Sequence, residues 1–373
     1  MSTNISYTEF GLPSKEVWKS YLILGKIIAV PSIVASIFLA RDIINKYIKH
    51  KKNVALTSLI LLGISVVNII GSIFGWGMTS WMVPKGDAPY AAGNIASCEA
   101  QGFFVSLQFI YFVTAYTELA ALYYLIVKRR SWNDDYMKQR KIRLLFLLPP
   151  IVISLVFATV PLFYEMYNVA IVFCYLAAYP PGCDEDNSCV RGTKAGPVQT
   201  FQFAYTMICN VVIVVFMLML VHHVKKVESR GDKYAGGATR SRVQTQKAYW
   251  QGFRYIGGFT LAYGCVYIFM FVNMAQLPNS KRGIWYWVIF YFHTLLNPLA
   301  GFFNSLVFFK PRYDTYRDQH SEESRMDCIC HVLNINTESW HRIFTTNQKD
   351  EQEATTKSTP LNRPLILDNN EEA

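Results

Sequence analysis

The chain has 373 residues, of which 52% are apolar, 15% aromatic and only 17% charged. With a mean hydropathy of +0.18, this composition excludes an ordinary soluble domain and argues for several membrane spans. A formal net charge of +10 would suit a nucleic-acid binder, but the basic residues lie between apolar segments rather than in one patch. No nucleic-acid partner is therefore expected.

Residues 1–19 are polar, with Glu9, Lys15, Glu16 and Lys19. No cleavable signal peptide is expected, and the first span serves as its own insertion signal. A helix crosses the hydrocarbon core with about 20 apolar residues. Seven segments qualify, at 20–40, 54–82, 99–127, 143–164, 197–223, 252–275 and 284–309. The second is long enough to tilt or overrun the bilayer. Pro149, Pro150 and Pro161 make the fourth the weakest helix. The apolar run 169–179 is too short to span and reads as loop or interfacial structure.

Lysine and arginine set the orientation. The loops after the first, third and fifth spans hold nineteen of them, including Arg129, Arg130, Lys225, Lys226, Arg240, Arg242 and Lys247. The alternate loops hold five: Lys85, Arg191, Lys194, Lys281 and Arg282. This places the N-terminus outside and the C-terminus in the cytoplasm, as in a multi-pass plasma-membrane protein. Asn4 opens an N-glycosylation sequon with Ile5 and Ser6 on the outer side. Cys98, Cys174, Cys183 and Cys189 fall at outer loops, where disulfides persist. Four cysteines allow three pairings. Cys98 with Cys174 and Cys183 with Cys189 is the favoured set, and Cys98 with Cys183 stays open. Cys209 and Cys265 read as core thiols. Cys328 and Cys330, on the inner side, are candidates for palmitoylation. The tail 321–373 is mostly polar and largely disordered by composition, and its Thr345, Thr346, Thr355, Thr356, Ser358 and Thr359 suit kinases and the arrestin-like proteins that follow them.

The most telling stretch is 296–313, LNPLAGFFNSLVFFKPRY. Pro298 has no N–H and opposes the carbonyl of Thr294, so a helix here kinks. Asn297 and Asn304 put amides on the interior, and Gly301 admits a neighbouring helix. Lys310 and Arg312 mark the exit. With seven spans and an outer N-terminus, the chain resembles a G protein-coupled receptor of the cyclic-AMP-receptor-like and fungal glucose-sensing group, distantly secretin-like. The matching residues are Cys98, Gln101, Gly102 and Phe103, then Cys174 and Tyr175, and above all that final motif. The resemblance covers 20–320, taken as the receptor domain between an extracellular 1–19 and the tail.

It implies an all-α membrane protein, a seven-transmembrane bundle with a short membrane-surface helix after the seventh span. Tyr313 and Tyr316 would face the membrane there. It also implies a heterotrimeric G protein as partner, no cofactor and no enzymatic chemistry. The departures are informative. The third span ends LYYLIVKRR where rhodopsin-like receptors have an acidic-Arg-Tyr triplet, and 252–275 has no proline. Phe302 stands where their final motif has tyrosine. No lysine lies between Ile284 and Phe309 to bind retinal.

On this frame the ligand site opens outward. Gln101, Gln108 and Tyr111 lie broadly on one face of the third span, with Gln202 and Tyr205 on the fifth and Tyr291 and His293 on the seventh. His293 also suits a polar network, and Trp285, Tyr286 and Trp287 suit an interfacial aromatic belt. Lys26 snorkels. The absence of buried acids in the outer half of the spans argues against an amine ligand. Glu118, about 30 Å below Cys98, is expected to pair with Arg254 in the inactive bundle. The switch set is thus Glu118, Arg254, Asn297, Pro298 and Asn304. The basic loop residues named above face the G protein, and they also mark topology and attract anionic lipids. The alternative function is a seven-span, sugar-like transporter, against which no internal repeat is found. An intramembrane hydrolase lacks the clustered ligands or nucleophile it needs.

Overall fold

The computed structural model describes residues 14–50, 55–128, 140–171, 173–181, 183, 188–233, 249–250, 252–254, 256–264, 268 and 284–333. It is mostly helical. Eight named helices run α1 Lys15–His50, α2 Leu56–Gly71, α3 Ile95–Lys128, α4 Arg140–Phe163, α5 Ala195–Lys233, α6 Ile284–Leu296, α7 Ala300–Gln319 and α8 Arg325–Val332. Further helical turns lie at 252–254 and 256–264. The chain divides into two compact units, Met1–Phe308 and Phe309–Ala373.

Five helices are long and apolar enough to cross a membrane: Lys15–Lys49, Leu56–Gly77, Ile95–Lys128, Lys141–Phe163 and Ala195–Lys226. Their outward faces are apolar too. Ile27 and Val30 on α1, Leu145 and Val156 on α4, and Ile208 and Leu218 on α5 are all exposed. In water such surfaces would drive aggregation, whereas in lipid they are the normal solvent-facing side. The expected segment 252–275 lies partly outside the described residues. The expected segment 284–309 is split by a 3-10 turn at Asn297–Leu299.

α3 is the most buried of these helices and packs against α2, α4, α5 and both strands. Pro149, Pro150 and Pro161 all lie inside α4 without ending it. The carbonyl that Pro161 leaves free, Phe157 O, accepts from Gln202 Nε2 at 3.3 Å, the kind of substitute partner that lets a membrane helix continue through proline. α2 does not run on as a regular helix. It passes into a π-helical turn, Ser72–Gly77, closed by Met78 N–H donating to Ile73 O at 2.8 Å. A 3-10 turn at Thr79–Met82 follows, entered through Thr79 at φ 39°.

The apolar run after α4 forms an antiparallel hairpin. β1, Tyr167–Val169, pairs with β2, Cys174–Leu176, with Val169 opposite Cys174. Ala170 N–H donates to Phe173 O at 3.0 Å to close the turn. Cys98 is bonded to Cys174, and Cys183 to Cys189. The open alternative, Cys98 with Cys183, is therefore not the pairing present.

In the second unit the expected helix beginning after Pro311 is not a separate element. Pro311 lies inside α7, which runs to Gln319. One lost hydrogen bond is offset locally: Lys310 pairs with Asp314 at 3.0 Å and Thr315 Oγ1 donates to Pro311 O at 2.9 Å. Tyr316, expected to face the membrane, is instead stacked between His320 and His331, with ring centroids 4.2 and 4.0 Å away. Its hydroxyl donates to Glu323 at 3.0 Å. α8 is capped by Ser324, whose Oγ accepts from Asp327 N–H. Cys328 and Cys330, expected to be palmitoylated, are buried at 0% and 7% exposure. A thiol enclosed by packing offers no access to an acyl donor until that packing opens.

Candidate functional site

Two polar constructions stand out in the first unit. The first surrounds the break between α6 and α7. Pro298 cannot donate, so the helix tightens to a 3-10 turn with Asn297 and Pro298 both buried. Two residues past the turn Gly301 meets α1 and α2. Its N–H donates to Ser32 Oγ at 3.1 Å. Asn68 Nδ2 donates to the same Ser32 Oγ at 3.1 Å and to Ser36 Oγ at 3.0 Å. Ser305 Oγ donates to Ala35 O at 2.8 Å, and Gln108 Nε2 donates to Asn68 Oδ1 at 3.5 Å. Ser32, Asn68 and Ser36 have essentially no exposure. Asn304 Oδ1 accepts the hydroxyl of Tyr116 on α3, while Asn304 Nδ2 is buried without a hydrogen-bond partner. The kink is thus held by polar side chains from α1, α2 and α3.

Glycine is required at this crossing. A Cβ on Gly301 would lie 2.2 Å from both Asn68 Nδ2 and Ser36 Oγ and 2.8 Å from Ser32 Oγ. Gly301→Ala is expected to lose about 1–3 kcal/mol of stability through overpacking. Gly257→Ala, with nothing within 4 Å of the new Cβ, is the matched control. Thermal unfolding of the detergent-purified variants checks this, and equal midpoints would refute the crowding argument.

The second construction is at the disulfide end. Gln101 is fully buried and uses its whole amide on the protein. Nε2 donates to Phe74 O and to Thr79 O, both at 2.7 Å, and Oε1 accepts from Cys174 N–H at 2.8 Å. One side chain therefore joins α3, the irregular end of α2 and the hairpin. Around it packs an apolar cluster that includes Trp18, Tyr21, Trp76, Tyr286, Trp287 and Phe290, with Phe173 of the hairpin against it. Trp76 stands edge-on to Phe173 at 5.2 Å and to His293 at 5.6 Å. Aromatic contacts thus run from the hairpin to a residue one turn before Asn297.

Several of the residues expected to bind a ligand are engaged by the protein itself. Gln108 and Tyr111 share a face, as their spacing predicts, but that face meets α2: Gln108 bonds Asn68, and Tyr111 Oη reaches Gly63. Gln202 lies on another side of α3. It accepts from Tyr175 Oη at 2.9 Å and donates to Ser106 Oγ and Phe157 O. Tyr205 Oη is 2.8 Å from Thr114 Oγ1. Tyr291 is 43% exposed on the outside of α6 beside Tyr21. Of the aromatic trio, Trp285 is exposed as a belt residue would be, whereas Tyr286 and Trp287 are core. Lys26 sets its ammonium 3.5 Å over the Trp81 ring, so a cation–π contact holds it.

Among the described residues Glu118 and Arg254 form no ion pair, and Glu118 Oε2 is buried without a hydrogen-bond partner. Tyr263 packs on Phe112, Phe259 on Tyr116, and Gly252 on Tyr123. That antiparallel register sets Gly257 level with Glu118 and leaves Arg254 roughly 4–5 Å further along the helix. Of the basic residues expected to face a G protein, Lys225 and Lys226 are exposed on α5. Arg129, Arg130, Arg240, Arg242 and Lys247 lie outside the described residues, as do Asn4 and Cys265.

Ser32, Ser36 and Ser305 were not singled out from the sequence. A signal for them exists: Ser32 and Ser36, and likewise Gly301 and Ser305, are small residues four apart, hence on one helix face. A scan of the sequence against protein-family models matches none, and no curated protein matches it.

Proposed function

We propose that this protein is a G protein-coupled receptor: a seven-span bundle, N-terminus outside, that senses an extracellular ligand and activates a heterotrimeric G protein without covalent chemistry. The observation that carries the reading is the helix break at Asn297–Leu299, locked to three other helices through Asn68, Ser32, Ser36, Gly301 and the Tyr116–Asn304 bond. A pore or a rigid scaffold has no need of a proline break cross-bonded by amides. A two-state bundle does, because a small set of directional bonds separates its two packings.

Two further features support it. Asn304 Nδ2 and Glu118 Oε2 are buried and unbonded, and each such group costs about 1–3 kcal/mol. A second arrangement of the helices that gave them partners would recover part of that cost, which puts it within reach of a ligand's differential affinity. The disulfide end is also where the loops between spans are poor in lysine and arginine, as an extracellular face would be. Glu118 and Arg254 form no ion pair among the described residues, so the switch proposed here is the kink cluster.

The test is guanine-nucleotide exchange on a panel of purified Gα subunits by the receptor in nanodiscs. The expected result is faster exchange on at least one Gα, and Asn68→Ala changing that rate at unchanged folded yield. No acceleration on any Gα, with accumulation of a labelled sugar in proteoliposomes, would replace the receptor by a carrier.

A further inference from the structure

Lys26 carries its charge on the outside of α1, among residues that face lipid. Ile23 and Val30, three residues before it and four after, share its side of the helix. Both are exposed, as is Ile27 beside it. A charge in such a stripe is costly unless a counter-charge meets it. The protein supplies a ring instead: Lys26 Nζ stands 3.5 Å over the centre of the Trp81 ring. That contact orients the ammonium but leaves its unit charge uncancelled.

The ring also fixes the depth. Trp81 belongs to the 3-10 turn Thr79–Met82, just past the end of the apolar helix Leu56–Gly77. A span leaves the hydrocarbon at such a point, and tryptophan favours that level. The apolar stem of Lys26 therefore brings its ammonium to the height of the lipid headgroups. Among the described residues neither this ammonium nor the Trp81 indole N–H has a hydrogen-bond or carboxylate partner. Trp81 is 52% exposed and Lys26 half-buried, so both donors are reachable. Lys19, seven residues and about 10 Å nearer the helix start, is paired with Glu16 at 2.8 Å and adds no net charge. The local surplus is the one charge of Lys26. Two adjacent donors and one positive charge select an oxyanion. The apolar residues on the same face select an oxyanion that carries acyl chains.

We propose that Lys26 and Trp81 bind the phosphate of an anionic phospholipid in the leaflet on the disulfide side of the bundle. The ammonium donates charge-assisted hydrogen bonds to the phosphate oxygens, and the indole N–H donates another. The acyl chains lie along Ile23, Ile27 and Val30. The inference rests on the spans lying in a bilayer and not on the receptor reading. Lipid binding is measured without a G protein, so its failure leaves that reading untouched.

The experiment is native mass spectrometry of the full-length protein in detergent, titrated with dioleoylphosphatidylglycerol or dioleoylphosphatidylcholine. The first phosphatidylglycerol should bind about fivefold more tightly than phosphatidylcholine, the worth of one lysine at an anionic membrane surface. Lys26→Gln should abolish that preference, while Lys26→Arg and Lys19→Gln should keep it. Glycerol 3-phosphate, which has the phosphate without the chains, should not displace the lipid. Trp81→Phe keeps the ring but not the N–H and should weaken phosphatidylglycerol binding by a smaller factor. It also carries the test if Lys26→Gln does not fold. The proposal is overturned by an unchanged preference in a folded Lys26→Gln, or by unchanged lipid affinity in Trp81→Phe. An equal loss in Lys19→Gln would overturn it in favour of diffuse surface charge. Displacement by equimolar glycerol 3-phosphate would overturn it in favour of a soluble anion.

Discussion

Gln101→Leu is expected to be among the most damaging single substitutions in the described bundle. The leucine gives nothing back to Phe74 O, Thr79 O or Cys174 N–H, which together take all three of the amide's bonds. Each buried group left unpaired costs about 1–3 kcal/mol, so the loss is about 3 kcal/mol or more. The damage should be localised. Hydrogen exchange should speed up at the hairpin and at the π-helical turn, where the amide's partners lie, before it does so in α5. A thermal midpoint within a degree of wild type would show that these bonds contribute nothing net.

The second large effect concerns the two disulfides, which differ in what they close. Cys98 and Cys174 are 76 residues apart in sequence, Cys183 and Cys189 only six. On loop-closure entropy alone the longer tie contributes roughly 4 kcal/mol and the shorter roughly 2 kcal/mol. Replacing the pair Cys98 and Cys174 by alanine should therefore lower stability by about 2 kcal/mol more than replacing Cys183 and Cys189. The gap should widen further, because the longer tie also holds the hairpin that Gln101 and Trp76 contact. Thermal unfolding of the two double variants beside wild type decides this, and equal losses would contradict it.

The two results bear on how the bundle responds to a ligand. The stapled hairpin, Trp76, His293 and the turn at Asn297 form a chain of contacts in one unit. A ligand that moved the hairpin would act on the packing beside the kink without reaching the polar cluster itself. In the receptor reading that is the link from the extracellular end to the moving helix.

Much of this was readable in the chain. The five long apolar helices, the disulfide pairing favoured from loop position, the kink at Pro298 and the close approach at Gly301 all follow from local chemistry. Hydrocarbon length fixes a span, a missing N–H fixes a break, and a missing Cβ permits a crossing. Such properties belong to one residue or one segment, so a sequence carries them.

What the tertiary structure decided are the partners. Gln101 reads as a polar residue facing a ligand, yet it is a clasp, because the end of α2 turns irregular and brings two carbonyls to it. Glu118 and Arg254 read as a pair by depth, but the register of 252–264 against α3 sets them about one turn apart. The partners of Ser32, Ser36 and Asn68 are set only when the fold brings the Gly301 N–H to Ser32 and Asn68 Nδ2 to both serines. Hydrogen bonds and ion pairs are effective only within a few ångströms, while a sequence places helices relative to one another no better than a turn. In LNPLAGFFNSLVFFKPRY the sequence by itself determined that a helix breaks. Only the folded bundle decided what holds the break.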